Sequence, residues 1–275
     1  MKWLYFIFSH SIFIAVCAVA LCFQTSLLLH ITLSAYLYSF IFFSTVCSYN
    51  FYWLLSGYAF AEQRLPVYCK RHVSNILVFF VSGAAMLISM FGIPSLLPAI
   101  GISLLLTLVY ALPLLPFKML QVARKAGLLK TFLLAFTWAF VTVCIPYQQA
   151  PTGNILTLLM LFYNRFLFML MLCIIFDARD TNVDKIRGLQ SLTTLADAKT
   201  IKYIMMAVFI AYLINGILFR LYYNEPGQIV ALFITGLATG AVYLLSLKKQ
   251  GYFFYYFAVD GLMLFSSLAA YVASI

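Results

Sequence analysis

The chain has seven carboxylates in 275 residues, and three of them, Asp177, Asp180 and Asp184, fall at i, i+3 and i+7. On a helix this spacing places all three on one face. Like charges stacked in this way repel, and a bound divalent cation relieves the repulsion. Hard oxygen donors suit Mg²⁺, which is usually held by carboxylates together with substrate phosphate oxygens. The same acids could instead neutralise Arg179, Lys185 and Arg187 at a helix end. A basic segment with Lys118, Arg124, Lys125 and Lys130 follows Tyr110-Ala111-Leu112-Pro113; it could hold phosphate or flank anionic lipid headgroups. Asn50 is an amide within an apolar, aromatic stretch, where it would bind a ligand or bond across helices. Arg165 and Asp260 are ionisable groups inside apolar runs at matching depths, and the cost of a lone charge there predicts a structural pair between them.

The elements that carry these residues follow from composition. With 65% hydrophobic and 9% charged residues and a mean hydropathy of +1.03, the chain is an all-α integral membrane protein rather than a soluble domain. A basic soluble face for nucleic acid is excluded although the net charge is +10. The six cysteines are scattered without a C-x-x-C and read as reduced, buried residues. Ala18-Val19-Ala20 resembles a signal cleavage site, but the apolar sequence continues uncharged to Glu62, which predicts retained helices.

The charge-free runs 3–61, 72–117 and, apart from Arg165, 131–176 each accommodate two spans, with turns near Gln24–His30, at Gly92 to Pro98 and at Pro146 to Gly153. Single spans follow at about 203–219, 228–247 and 252–273, which gives nine transmembrane helices in one domain, 1–275. All of the 17 Lys and Arg except Arg165 and Arg220 then fall on one side of the membrane. By the positive-inside bias the N-terminus is cytoplasmic and the C-terminus external. The longer polar loops 61–72, 116–130 and 177–202 share the cytoplasmic side, so a reactive site is expected there.

No Walker loop, G-x-S-x-G, H-E-x-x-H or dinucleotide fingerprint occurs. Nine helices with an aspartate-rich segment after the sixth resemble the UbiA superfamily of intramembrane prenyltransferases, over nearly the whole chain. Asp177, Asp180 and Asp184, followed by Gly188-Leu189-Gln190-Ser191-Leu192, are similar to that family's D-x-x-D-x-x-x-D and G-x-K-T-L-P motif. Gln190, Ser191 and Thr193 depart from its Lys, Thr and Pro. Tyr110-x-x-Pro113 and the basic loop resemble the family's segment between helices four and five. The family's first motif is Asn followed by aspartates at about four-residue intervals; here Asn50 is followed by Leu54 and Tyr58 at i+4 and i+8.

The resemblance implies transfer of a polyprenyl group from its diphosphate to a lipophilic acceptor, aromatic or quinone-precursor in kind. Mg²⁺ would be held by Asp177, Asp180 and Asp184, and the diphosphate supported by Asn50, Lys118, Arg124 and Arg187. The missing half of the metal cage keeps an alternative open, a catalytically degenerate relative that binds a prenyl lipid or a membrane partner. A transporter is a third reading, supported only by Arg165 and Asp260 and opposed by the lack of an internal repeat. A bacterial inner membrane is the expected location.

Overall fold

The computed structural model describes residues 2–59, 65–111, 127–149, 155–187, 190–222 and 226–275. Among them the secondary structure is entirely helical. After the short α1 (Lys2–Ser9) the chain runs through α2 (Ile12–Leu29), α3 (Ala35–Ala59), α4 (Leu65–Arg71), α5 (Val73–Met90) and α6 (Leu97–Ala111). It continues through α7 (Gly127–Ala139), α8 (Ile145–Gln149), α9 (Ile155–Arg187), α10 (Leu192–Leu195), α11 (Ala198–Tyr222), α12 (Pro226–Ser246) and α13 (Asp260–Ala273). Eight helices among the described residues are long and apolar enough to cross a membrane. The ninth long helix is α3, at 25 residues, in which Ser, Tyr, Trp and Asn dilute the aliphatic residues.

The breaks have local causes. Between α1 and α2, Ser11 adopts φ 62°, and α2 ends at His30 with φ 50°, left-handed conformations that no helix interior accommodates. Pro94 and Pro98 start the next turn and α6, positions where a missing N–H costs nothing. Pro146 behaves differently from the expected turn. The helix continues through it, with a π-helical stretch at Phe140–Cys144 leading straight into α8. Proline removes the donor that would serve the carbonyl of Thr142, four residues earlier. Thr25 of α2 supplies the substitute: its hydroxyl donates to that carbonyl at 2.7 Å.

Because the helices face lipid, they are apolar nearly all round, and buried polar groups mark their inner faces. The most enclosed of the spanning helices is α9, which packs against α7 and α11, while α2 lies against α3 and α13 and α12 between α11 and α13. Cross-helix bonds tie the bundle: Ser267 donates to the Ala20 carbonyl at 2.7 Å, Gln228 to Ala270 at 3.1 Å and Tyr212 to Leu232 at 3.1 Å. At Gly227 a Cβ would lie 2.6 Å from the Ala273 carbonyl oxygen, so glycine is what lets the start of α12 touch the end of α13.

Candidate functional site

The sixth predicted span is longer than expected. It runs 33 residues as α9, so that Asp177, Asp180 and Asp184 ride on its last three turns. With about 100° per residue, Asp177 and Asp184 are only about 20° apart around the axis and Asp180 about 60° away. That offset decides their partners. Thr131 of α7 donates to the Asp177 carboxylate at 2.5 Å. Asp184 is buried at 7% exposure, and both carboxylates lie within electrostatic reach of the Lys130 ammonium. Asp180 turns the other way, into a two-point bridge with Arg179 at 2.7 and 2.8 Å. The guanidinium of Arg179 in turn lies 4.9 to 5.1 Å from the ring centres of Phe176, Tyr255 and Tyr256. Among the described residues, no three His, Cys, Asp or Glu side chains come together as metal ligands.

Lys130 sits in the first turns of α7 rather than in a loop, 5.7 Å from the centre of the Tyr110 ring. Tyr110 stacks at 5.3 Å on Tyr52 of α3, which also faces the ammonium. The segment after α9 folds back onto the same place. Ser191 and Thr194 form a reciprocal cap at the start of α10, and the Thr193 hydroxyl donates to the Asp177 backbone carbonyl at 2.8 Å. The threonine that departs from the family pattern thus helps to pin Asp177.

Asn50 is not brought to the aspartates. It is fully buried, and its amide donates to the carbonyls of His10 at 3.0 Å and Val46 at 2.8 Å. Tyr49 and Tyr52, about 100–160° round the helix, take the faces towards Trp138 and Tyr110 instead. Lys118 and Arg124 lie outside the described residues, as does the side chain of Arg187, whose backbone closes α9.

The pairing expected between Arg165 and Asp260 does not form. Arg165 donates to Gln24 Oε1 at 2.8 Å, and no ion pair or hydrogen bond reaches the Asp260 carboxylate among the described residues. A π-helical stretch at Phe254–Val259 precedes Asp260 and rotates it relative to a regular helix. Its 4%-exposed side chain is directed to a region near Cys17, Tyr49 and Cys173, with Arg179 as the cation in electrostatic reach.

Beside the aspartate end, a cavity of about 590 Å³ opens between α1, α3, the α4–α5 turn and the start of the last helix. Phe8, Trp53, Leu54 and Tyr252 give it an apolar, aromatic wall, and Arg71, His72 and Asn75 line it too. Tyr256 lies in the same wall and carries Arg179, so the cavity and the Asp180 end of α9 meet at that ring. Gly57 admits the Tyr68 ring: a Cβ there would lie 2.2 Å from the Tyr68 hydroxyl, which donates to the Leu54 carbonyl at 3.1 Å and docks α4 on α3. Arg71, His72 and Tyr68 line the cavity and Thr131 bonds Asp177 although no sequence motif marks any of them. The grouping of Arg71, His72 and Asn75 at helical spacing was the available signal for the cavity.

The sequence matches no protein-family model and no curated protein. The fold does have a solved counterpart, the apo structure of a UbiA homologue from Aeropyrum pernix K1. The likeness covers 94% of this chain and 96% of that one at a TM-score of 0.58, with 13% sequence identity. The architecture is therefore that of a UbiA-like helical bundle in a multi-pass membrane protein.

Proposed function

We propose that the protein is a UbiA-like prenyltransferase, which moves a polyprenyl group from its diphosphate to a lipophilic, aromatic or quinone-precursor acceptor in the membrane. The observation that carries this reading is the convergence of Asp177, Asp184, Lys130 and Thr131 at one end of an apolar bundle, whose Asp180 side adjoins an aromatic cavity through Arg179 and Tyr256. At about 590 Å³, this cavity lies in the range of small-molecule sites. The prenyl chain would lie along Phe8, Trp53, Leu54 and Tyr252, with the diphosphate directed to the polar end. By the positive-inside argument that end is cytoplasmic, and a bacterial inner membrane is the location in keeping with it.

The donor set fits Mg²⁺ shared with substrate better than a cage made of protein alone. Asp177 and Asp184 offer two carboxylates on one face, which is the usual protein share when phosphate oxygens complete the shell. Asp180 would join them only by leaving Arg179. Mg²⁺, when bound, neutralises the charge that collects on the diphosphate as the allylic C–O bond ionises. Lys130 supplies a fixed positive charge to the same leaving group, and Thr131 holds Asp177 in place. Lys118, Arg124 and Arg187 complete the proposal as further diphosphate contacts. Asn50 contributes indirectly, by fixing the α1–α2 corner that borders the cavity. The aromatic wall offers ring faces to a developing carbocation.

Binding of a prenyl diphosphate to the purified protein, with and without Mg²⁺, tests the reading. Tight binding that needs Mg²⁺ and is lost in Asp177→Asn and Asp184→Asn, together with release of pyrophosphate on adding acceptor, is the expected result. Metal-independent binding without pyrophosphate release would overturn it in favour of a degenerate relative that binds a prenyl lipid. That alternative draws on Leu54 lining the cavity where the family pattern has an acid.

A further inference from the structure

The aromatic cavity has a polar corner that the transferase reading leaves unused. Arg71, at the end of α4, and His72 and Asn75, at the start of α5, form it. Two of the three are held in place: the His72 ring lies 4.4 Å from the Tyr68 ring, centre to centre, and the Asn75 amide reaches Asn50 Oδ1 at 3.5 Å. Arg71 is exposed, and its side chain has no ion pair or hydrogen bond among the described residues. No acid lines the cavity among the described residues. Because α5 begins at this corner without a side-chain cap, the positive end of an 18-residue helix adds to the charge of the guanidinium.

Charge, shape and donor count together define the ligand. The corner attracts an anion, and with no carboxylate in the wall to hold a metal ion the anion meets the cation directly. The wall of Phe8, Trp53, Leu54 and Tyr252 stays wet unless the ligand also carries an apolar body, so a bare inorganic ion leaves most of the site unused. A guanidinium fork, an imidazole N–H, an amide and a helix N-terminus offer more donors than the two oxygens of a carboxylate take up. A phosphate monoester, with three free oxygens and nearly two negative charges, matches them.

We propose that this corner binds the phosphate of a lipid phosphomonoester without a metal ion, with Arg71, His72 and Asn75 on the phosphate oxygens and the lipid chain against Trp53 and Tyr252. By the positive-inside argument the corner lies at the cytoplasmic headgroup level, where Trp and Tyr concentrate and a lipid phosphate is already at the right depth. Prenyl phosphates and glycerol-based lipid phosphates share this chemistry. The site has its apolar wall in common with the prenyl chain of the proposed transfer reaction, so the two ligands exclude each other. It needs neither Mg²⁺ nor Asp177 and Asp184, and it does not rest on the transferase reading.

Calorimetric binding to the purified full chain in EDTA tests the site, with farnesyl monophosphate and oleoyl lysophosphatidate as probes and farnesol and oleate as their controls. At least one of the two phosphates should bind about tenfold or more tightly than its control. Tighter binding of the farnesyl probe assigns the site to isoprenoids, and tighter binding of the oleoyl probe assigns it to glycerolipids. Arg71→Gln should weaken the binding by about tenfold or more with Tm unchanged. The double variant Asp177→Asn/Asp184→Asn should bind like the wild type, which separates this site from the transferase reading, whose own test is Mg²⁺-dependent release of pyrophosphate. The proposal is overturned if neither phosphate binds in EDTA, if farnesol and oleate bind as tightly as the phosphates, or if Arg71→Gln binds like the wild type.

Discussion

Arg179 and Asp180, adjacent in the chain, bridge each other at 2.7 and 2.8 Å, and this bond takes one of three clustered carboxylates off the face that Asp177 shares with Asp184. The three aspartates are thus unequal. Asp177→Asn and Asp184→Asn should each weaken binding of the Mg²⁺–prenyl diphosphate pair by at least about tenfold, or ~1.4 kcal/mol. Asp180→Asn should cost clearly less. Calorimetric titration of the three variants decides the point, and equal losses would show that Asp180 leaves Arg179 when substrate binds.

Lys130 is the resident positive charge of the Asp177–Asp184 face. Removing it leaves two like charges facing each other, a situation that favours a metal ion. Lys130→Gln should therefore strengthen binding of Mn²⁺ alone, followed by electron paramagnetic resonance, while weakening binding of the diphosphate, with each change about tenfold, or ~1.4 kcal/mol. Weaker Mn²⁺ binding in this variant would place the ammonium outside the metal's field.

Asn50 spends its amide on the backbone of His10 and Val46. Asn50→Leu strands buried carbonyls and should lower unfolding stability by about 1–3 kcal/mol. The affinity for Mg²⁺ should stay within about twofold, or ~0.4 kcal/mol. Chemical unfolding in micelles alongside metal titration separates the two effects, and a large loss of metal affinity would restore Asn50 to direct contact with the diphosphate.

A double-mutant cycle checks the partner of Arg165. Coupling between Arg165 and Gln24, which are bonded at 2.8 Å, should fall in the range of about 0.5–3 kcal/mol found for residues in contact. Coupling between Arg165 and Asp260 should stay below about 0.5 kcal/mol, as for independent sites. The reverse ranking would mean that the two charges meet in the membrane after all.

The helical architecture was legible because a bilayer punishes charge so strongly that the gaps between charged residues mark the spans. Gly and Pro placed the turn at Gly92 to Pro98, whereas the end of α2 is set by the left-handed His30 and the helix runs on through Pro146 to Gln149. The rotation of each helix about its own axis was much less legible. A helix that is apolar all round has no amphipathic stripe to set its facing, so the sequence does not tell whether Asn50 looks towards α9 or towards His10. The two π-helical stretches add to this, since each shifts the register of everything beyond it, including Asp260. At the site, the spacing of Asp177 and Asp184 was readable as a shared face. The diversion of Asp180 was not, because it depends on the three rings that hold Arg179, two of which come from the far end of the chain.

The bond from Thr25 to the Thr142 carbonyl spans 117 positions of sequence. Without the hydroxyl, the carbonyl freed by Pro146 would be left without a partner in the buried interior of the bundle, and Thr25→Val should cost about 1–3 kcal/mol, measurable by unfolding in micelles. The bond also gives the protein a direction of assembly. Synthesis delivers α2 first, so the acceptor's rescuer is already in the bilayer when the proline-bearing helix enters. A circular permutant that emits α7 and α8 ahead of α2 would have to hold an unsatisfied peptide group in lipid until the end of translation. The native order of segments thus spares the growing chain a defect that the finished fold does not reveal.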